Sequence, residues 1–532
     1  MLSTQTVFCH FSLLHRDSRS VHNHVADYVV LSIPSMMLPR RFGTLVGLAA
    51  FTLLLGAFFF NGHYGFYGSS LGASRPPSAA AGENQPHPPL TESRPHHAEP
   101  EEQEVDEPAH HTTPSASVQS NTLSTVTPSS NPKSKPLGTS TKPSAPQSTE
   151  QNHADVKWPD ELRVSIVESG GSHEEVVAAF THAFGLQKNV KLSLYLLLKR
   201  FGLTELIESF SLPSGLSPIQ SSYDFPKLYD DNTIPHVLVA TTCELDLLRL
   251  DQAIHGLLNA GKTYLFCVVH HADKWAEEEK LQIETSDWIE QARITFLTLS
   301  PHTAEYFKSV AISRWELKDY VFVDYLTPVY PVSHNRSIDD LVGEDELLFA
   351  MQGDYDARRR DYGSIFSQLE KFVKSPEYSE ENKNLYLHLL GHGSEPLVPA
   401  SLKEHIVFDS NLDYLDYYAV LDRSFALLPA FATNDYLDRK ASSSIPAALI
   451  GGTPLVATQA MLDAYSYLTK DVVWFQKEGE TDMDVVGRVL QMSPDQRQRT
   501  KDAVQKRLAT LVEDNIAKAE AWVEDSLRWV VV

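Results

Sequence analysis

The chain has 532 residues, enough for two or three domains. Its 42% apolar content supports sizeable cores, and its formal charge of -24 excludes a nucleic-acid binder, which needs a basic surface. Three cysteines are too few for a disulfide scaffold: Cys9 precedes the hydrophobic segment, and Cys243 and Cys267 are expected as free buried thiols.

Residues 1–41 are polar and His-rich and read as a cytosolic tail, with Met36 and Met37 as alternative starts. Phe42 to Phe60 is a run of nineteen uncharged residues. As a helix it spans about 28 Å, the thickness of a bilayer core. No small-residue cleavage site adjoins Phe58, Phe59 and Phe60, so it reads as a transmembrane signal anchor rather than a cleaved signal peptide. Arg40 and Arg41 precede it and no Lys or Arg follows until Arg75. The positive-inside rule therefore predicts a single-pass type II protein of the Golgi or endoplasmic reticulum membrane, with everything after the span in the lumen. Residues 61–157 are rich in Pro, Ser, Thr, His and Glu, and are expected to form a disordered stem.

Residues 158–335 read as a first α/β domain. A strand, Leu162 to Val167, leads into the loop from Glu168 through Gly170, Gly171 and His173, then a helix from Glu174 to Phe184. The loop lacks the G-x-G-x-x-G dinucleotide fingerprint. Further strands are expected at Val190 to Leu198, His236 to Thr242, Tyr264 to Val269 and Ile294 to Leu299, with one amphipathic helix from Leu245 to Leu258. His270 and His271 follow the fourth of these strands. Adjacent histidines on a strand face opposite ways, so no shared metal is expected there.

Thr327 to Glu346 reads as an interdomain hinge and holds the sequon Asn335-Arg336-Ser337, a glycan acceptor if lumenal. Residues 345–495 repeat the alternation. A strand from Leu347 to Met351 reaches Gln352 and Gly353, with Arg358, Arg359 and Arg360 behind. A strand from Leu385 to Leu390 reaches His392 and Gly393. Others are expected at Ile406 to Phe408 and Val472 to Phe475, and residues 496–532 are helical by pattern. The fold class is thus two doubly wound Rossmann-like domains facing a cleft.

Phe425 to Thr458 is the most informative stretch. A strand from Phe425 to Phe431, a polar loop, the serines Ser442, Ser443 and Ser444, a helix from Ile445 to Ile450, and a strand from Thr453 to Thr458 follow one another. Arg439 and Lys440 beside a serine-capped helix start read as an anion site. The run SIPAALIGGTPLVAT resembles the nucleotide-sugar end of GT-B glycosyltransferases. FAMQGDYDARRRDYGSIFSQLE, HIVFDSNLDYLDYYAVLDRSFALLPAF and LTLSPHTAEYF resemble the fungal "family 1" type, so that the likeness covers about residues 160 to 500. Many retaining relatives carry two glutamates where this chain has Arg439 and Ala447, so the usual carboxylate contacts are absent or supplied elsewhere.

The resemblance implies a metal-independent glycosyltransferase moving a sugar from a nucleotide-diphosphate donor to a lumenal glycan, lipid or protein acceptor. It needs no cofactor, the nucleotide sugar being a substrate. Donor contacts are expected from Lys440, Arg439, Ser442, Ser443, Ser444, Gln352, Gly353, Arg358, His392 and Gly393. Acceptor or sugar contacts are expected from Gly170, Gly171, His270 and His271. His173, in the first glycine loop, is the candidate base because histidine titrates near neutrality, and Glu168, at the end of the first strand, is its rival. Phe408 and Asp409 sit where such enzymes often read the base. A non-catalytic scaffold of the same fold is the first alternative, kept open by the missing glutamates, and a nucleotide-sugar epimerase the second.

Overall fold

The computed structural model describes residues 158–229, 233–333, 337–339, 341–343, 345–376, 378 and 384–530. The predicted tail, span and stem, and Asn335 and Arg336 of the sequon, lie outside the described residues. Among the described residues no helix is long and apolar enough to cross a membrane.

The first lobe runs β1 (Leu162–Glu168), α1 (Glu174–Gly185), β2 (Val190–Leu196), α2 (Leu203–Glu208), β3 (Gln220–Ser221), β4 (Val237–Ala240), α3 (Cys243–Arg249), α4 (Asp251–Ala260), β5 (Tyr264–Val269), α5 (Ala272–Glu277), α6 (Glu279–Glu290), β6 (Ile294–Thr298), α7 (Pro301–Tyr306) and β7 (Phe322–Tyr325). Its strands form one parallel sheet in the order β3-β2-β1-β4-β5-β6-β7. The second lobe runs β8 (Leu347–Gln352), α8 (Tyr362–Val373), β9 (Leu385–Gly391), β10 (Ile406–Ser410), α9 (Tyr414–Arg423), β11 (Leu427–Leu428), α10 (Asp435–Asp438), α11 (Ser444–Ile450), β12 (Leu455–Ala457), α12 (Gln459–Ala464), β13 (Val473–Phe475) and α13 (Asp482–Leu490). Its parallel sheet has the order β10-β9-β8-β11-β12-β13. Both orders reverse direction once, between β1 and β4 and between β8 and β11. Ligands of such sheets bind in the crevice at that reversal, outside the strands' carboxyl ends.

The central strands are continuous apolar runs because helices cover both faces; Val237, Leu238, Val239 and Ala240 of β4 are all fully buried. The carboxyl ends of the two sheets face each other. Tyr414 N–H donates to the Phe201 carbonyl at 2.8 Å, and the Phe201 and His392 rings lie 5.6 Å apart. A final helix, α14 (Pro494–Ser526), packs on both lobes. On the second lobe Arg507 Nε donates to the Tyr467 carbonyl at 2.8 Å. On the first, Asn515 Nδ2 donates to Thr327 at 2.7 Å and Trp522 Nε1 to Asp324 at 3.1 Å. At about 1.5 Å per residue its 33 residues reach about 50 Å, enough to staple both lobes.

Four expectations are corrected. Cys243 and Cys267 are joined in a disulfide, because the β4–β5 register sets Ala240 against Cys267 and brings the two Cα atoms within 5.2 Å. The single helix from Leu245 to Leu258 is two, since Leu250 (φ -117°, ψ 23°) leaves helical dihedrals and Asp251 starts a new turn. The strand from Phe425 to Phe431 shrinks to Leu427–Leu428, because Pro429 has no N–H for the ladder and Ala430 turns to φ 44°. His270 and His271 lie beyond the end of β5, in a loop rather than on opposite faces of a strand.

Replacing Cys243 and Cys267 together by serine is expected to cost about 2–4 kcal/mol of stability. Thermal melts with and without reductant check it: reductant should lower the wild-type midpoint and leave the double variant unmoved.

Candidate active site in the interlobe cleft

The β1–α1 loop is built by buried carboxylates rather than by a phosphate. Glu168 turns beneath its own loop, where Oε1 accepts the N–H of Gly171 at 2.6 Å and of Ser172 at 3.3 Å. A Cβ on Gly170 would lie 2.9 Å from that oxygen. Asp246 is fully buried and accepts from Ser169 N–H and Oγ at 2.8 and 2.6 Å, and from Thr242 N–H at 2.9 Å. Burial pushes the Asp246 carboxyl up to about 7, despite these donors, and burial likewise raises Glu168. Glu168 is therefore the loop's anchor, not a base open to substrate, and the Gly171 N–H is already used.

The loop delivers His173 into the cleft. It sits at φ 64°, ψ 40°, a left-handed conformation, at the N-cap of α1 with no side-chain cap bond. Its imidazole stacks on His270 with ring centroids 4.0 Å apart. Nδ1 lies 3.7 Å from Glu175 Oε1, and the side chain keeps 34% of its exposure. Burial lowers the imidazolium, but the Glu175 carboxylate more than offsets it, so His173 titrates above the ordinary histidine value; Arg359 opposes the rise from the other lobe. His270 is the reverse case. Burial, helped by the charge on His173, pushes it well below that value, and its Nε2 meets the Thr241 carbonyl at 2.6 Å. The pair thus holds one imidazole ready to carry charge and one kept neutral. His271 is placed by Glu244, whose Oε1 accepts the N–H of both His270 and His271 at 2.9 Å.

Across the cleft the three arginines after β8 diverge. Arg358 is 90% exposed and pairs with Asp356 at 2.8 Å, so it faces solvent and is no donor contact. Its replacement by alanine is expected to leave nucleotide affinity unchanged, which titration calorimetry checks. Arg359 reaches into the cleft, pairing with Asp354 at 2.5 Å and donating to Tyr436 OH at 3.0 Å. Arg360 is 2% exposed. Its Nε donates to the Gln352 carbonyl at 2.9 Å, Nη1 to the Arg359 carbonyl at 3.2 Å and Nη2 to Ser444 Oγ at 2.8 Å. Among the described residues no carboxylate pairs with it, and burial, joined by the like charge of Arg359, lowers its pKa. A buried cation held by neutral acceptors and by the rings of Phe431 and Tyr436, whose centroids lie 5.8 and 5.7 Å from its guanidinium carbon, is costly.

Glycine lets the β8 loop pack directly on that guanidinium. A Cβ on Gly353 (φ 126°) would come within 2.9 Å of Arg360 Nη2. On Gly391, in β9 beside β8, it would lie 2.0 Å from the Gly353 carbonyl. Gln352 Nε2 donates to Ser443 Oγ at 3.0 Å, tying the β8 end to the start of α11. The three serines therefore do not form the expected cap: Ser442 Oγ alone accepts a helix N–H, that of Ser444 at 3.2 Å, while the hydroxyls of Ser443 and Ser444 accept from Gln352 and Arg360. His392 pairs with Asp354 at 3.0 Å, and Gly393 turns beside it at φ 111°.

Arg439 and Lys440 are not free cations either. Arg439 Nη2 pairs with Asp435 at 2.8 Å, and Lys440 Nζ with Asp435 at 3.3 Å and Asp273 of the first lobe at 3.5 Å. The same strap is held by His302 of α7, whose Nε2 meets the Lys440 carbonyl at 3.1 Å. Behind it a cavity of about 490 Å³ is lined by His302, Glu305, Asp438 and Asp463; it is acidic and holds none of the predicted site residues.

No protein-family model matches the chain, and no curated protein matches it. Solved structures do. Anabaena Alr3699/HepE in complex with UDP-glucose is 10% identical, with a TM-score of 0.46 over 69% of this chain and 100% of its own. A glycosyltransferase from Rickettsia africae is 10% identical, with a TM-score of 0.45 over 69% and 99%. Sucrose-phosphate synthase from Thermosynechococcus elongatus is 11% identical, with a TM-score of 0.42 over 68% and 98%.

Sequence reasoning missed Glu175 beside His173 and Asp246 beneath the loop, and weighed Asp273 only as a metal ligand beside His270 and His271. Asp246 and Asp273 act on partners far off in sequence. A histidine placed where the backbone wants glycine was the one signal available, and it needs the φ angle to be seen.

Proposed function

We propose that the chain is a GT-B-type glycosyltransferase that transfers a sugar from a nucleotide-diphosphate donor to an acceptor hydroxyl, working in the lumen of the secretory pathway. The observation that carries this reading is the buried, carboxylate-free Arg360 at the carboxyl end of β8, beside the sheet reversal. In the transfer, the bond from the sugar's anomeric carbon to the diphosphate oxygen breaks and a bond from the acceptor oxygen forms. The diphosphate leaves with the electron pair, and charge grows on its oxygens. Arg360 beside Gly353 supplies fixed positive potential there, where preorganised charge favours the transition state. His173 takes the acceptor proton, and Glu175 stabilises the imidazolium that results.

The disulfide between Cys243 and Cys267 supports an oxidising compartment. The paired Arg439 and Lys440 favour the second reading, a non-catalytic protein of the same fold, because they leave that part of the site neutral. A panel of nucleotide sugars offered to the full-length protein separates the two. The account expects hydrolysis or transfer with one donor class, persisting in a metal chelator because protein side chains carry the charge. Absence of turnover with every donor would leave only binding.

A further inference from the structure

Four charged groups meet on the strap. Arg439 and Lys440 supply two cations, and Asp435 and Asp273 supply two carboxylates, so the cluster as it stands is neutral. Asp435 belongs to α10 beside the cations. Asp273 does not: it is the second residue of α5, beyond His270 and His271 at the end of β5, and reaches over from the first lobe. Its grip is loose. Oδ2 stands 3.7 Å from Arg439 Nε and 3.5 Å from Lys440 Nζ. Its Oδ1 is buried with no hydrogen-bond partner, and Arg439 Nε is buried with none either. Two groups of opposite charge thus face each other with bonding capacity unspent, which is expensive out of water.

We propose that Asp273 is an internal competitor for the donor's phosphates, holding Arg439 and Lys440 across the cleft until a diphosphate displaces it. This rests on the donor-site reading above and adds its regulation. A diphosphate brings several oxygens of full negative charge, and can give both cations the short hydrogen bonds that Asp273 does not. Displacement turns a neutral cluster into a net-positive one around the ligand and frees the first-lobe loop that carries His270 and His271. Donor entry is thereby coupled to release of an interlobe contact, and Asp273 sets the affinity threshold.

The prediction has an unusual sign: removing the residue improves binding. Calorimetric titrations of full-length wild type, Asp273→Asn and Asp273→Ser with UDP, GDP, ADP and inorganic pyrophosphate test it. Asp287→Asn, an exposed acid elsewhere on the lobe, controls for the general loss of negative charge. The expected result is binding about two- to fivefold tighter in both Asp273 variants, the size a partly exposed ion pair carries, with the control unchanged. Equal or weaker binding in both Asp273 variants would overturn the competitor. A wild type that binds a nucleoside diphosphate alongside such variants limits the failure to this inference. If no form binds any of the four ligands, the donor-site reading fails with it.

Discussion

His173→Gly is expected to lose transfer by about a hundred- to ten-thousandfold, the range of a general base, while the protein melts at or above the wild-type temperature. The backbone at φ 64° suits glycine, whereas a side chain there costs of order 1 kcal/mol or more. The ring contact with His270 and the partly exposed pairing with Glu175 return little of that. His173→Ala keeps the strained backbone and loses the imidazole, so it should melt below His173→Gly with the same loss of activity. A glycine variant that melts below the wild type would show that the imidazole is structural.

The pH dependence follows from the same residue. A base works unprotonated, so turnover should rise with pH through the His173 pKa, at a midpoint above the ordinary histidine value. In stability the sign is opposite. A histidine whose folded pKa is raised stabilises fully below its unfolded value, and that contribution is lost as pH rises through the folded one. Glu175→Gln should move both midpoints down, which kinetics and pH-dependent melts read independently.

Arg360→Met is expected to lower nucleoside diphosphate affinity and turnover by about a hundredfold or more, the scale of one lost charge at a developing oxyanion. Removing an uncompensated buried charge offsets the acceptors left behind at Gln352, Arg359 and Ser444, so the variant should stay folded with a melting temperature near that of wild type. Arg360→Lys keeps charge but not the planar fork, and should recover part of the affinity. Unchanged affinity in folded Arg360→Met would reassign Arg360 to packing.

The alternation of strands and helices was legible because each strand is a short apolar run bounded by glycine or polar residues. Tyr264–Val269 and Glu174–Gly185 appear within a residue of where the pattern puts them. What was not legible depends on register or on side-chain direction. The disulfide needs the β4–β5 pairing, which no spacing encodes. Which of three successive arginines faces solvent, cleft or core is decided by a turn with no period. Glu168 looks like a base by position and is an anchor by geometry, because its own loop supplies the N–H groups it accepts. Lys440 looks free by position, yet Asp435 nearby and Asp273, far away in the chain, both close on it.

The central claim, that the cleft between the β1 and β8 loops binds a nucleotide sugar, is tested most directly by hydrogen exchange on the full-length protein with and without nucleoside diphosphates. The account predicts slower exchange in residues 168–175, 352–360 and 439–445 on adding the ligand that binds. Protection confined to other segments, or none in these with ligand bound, would contradict it.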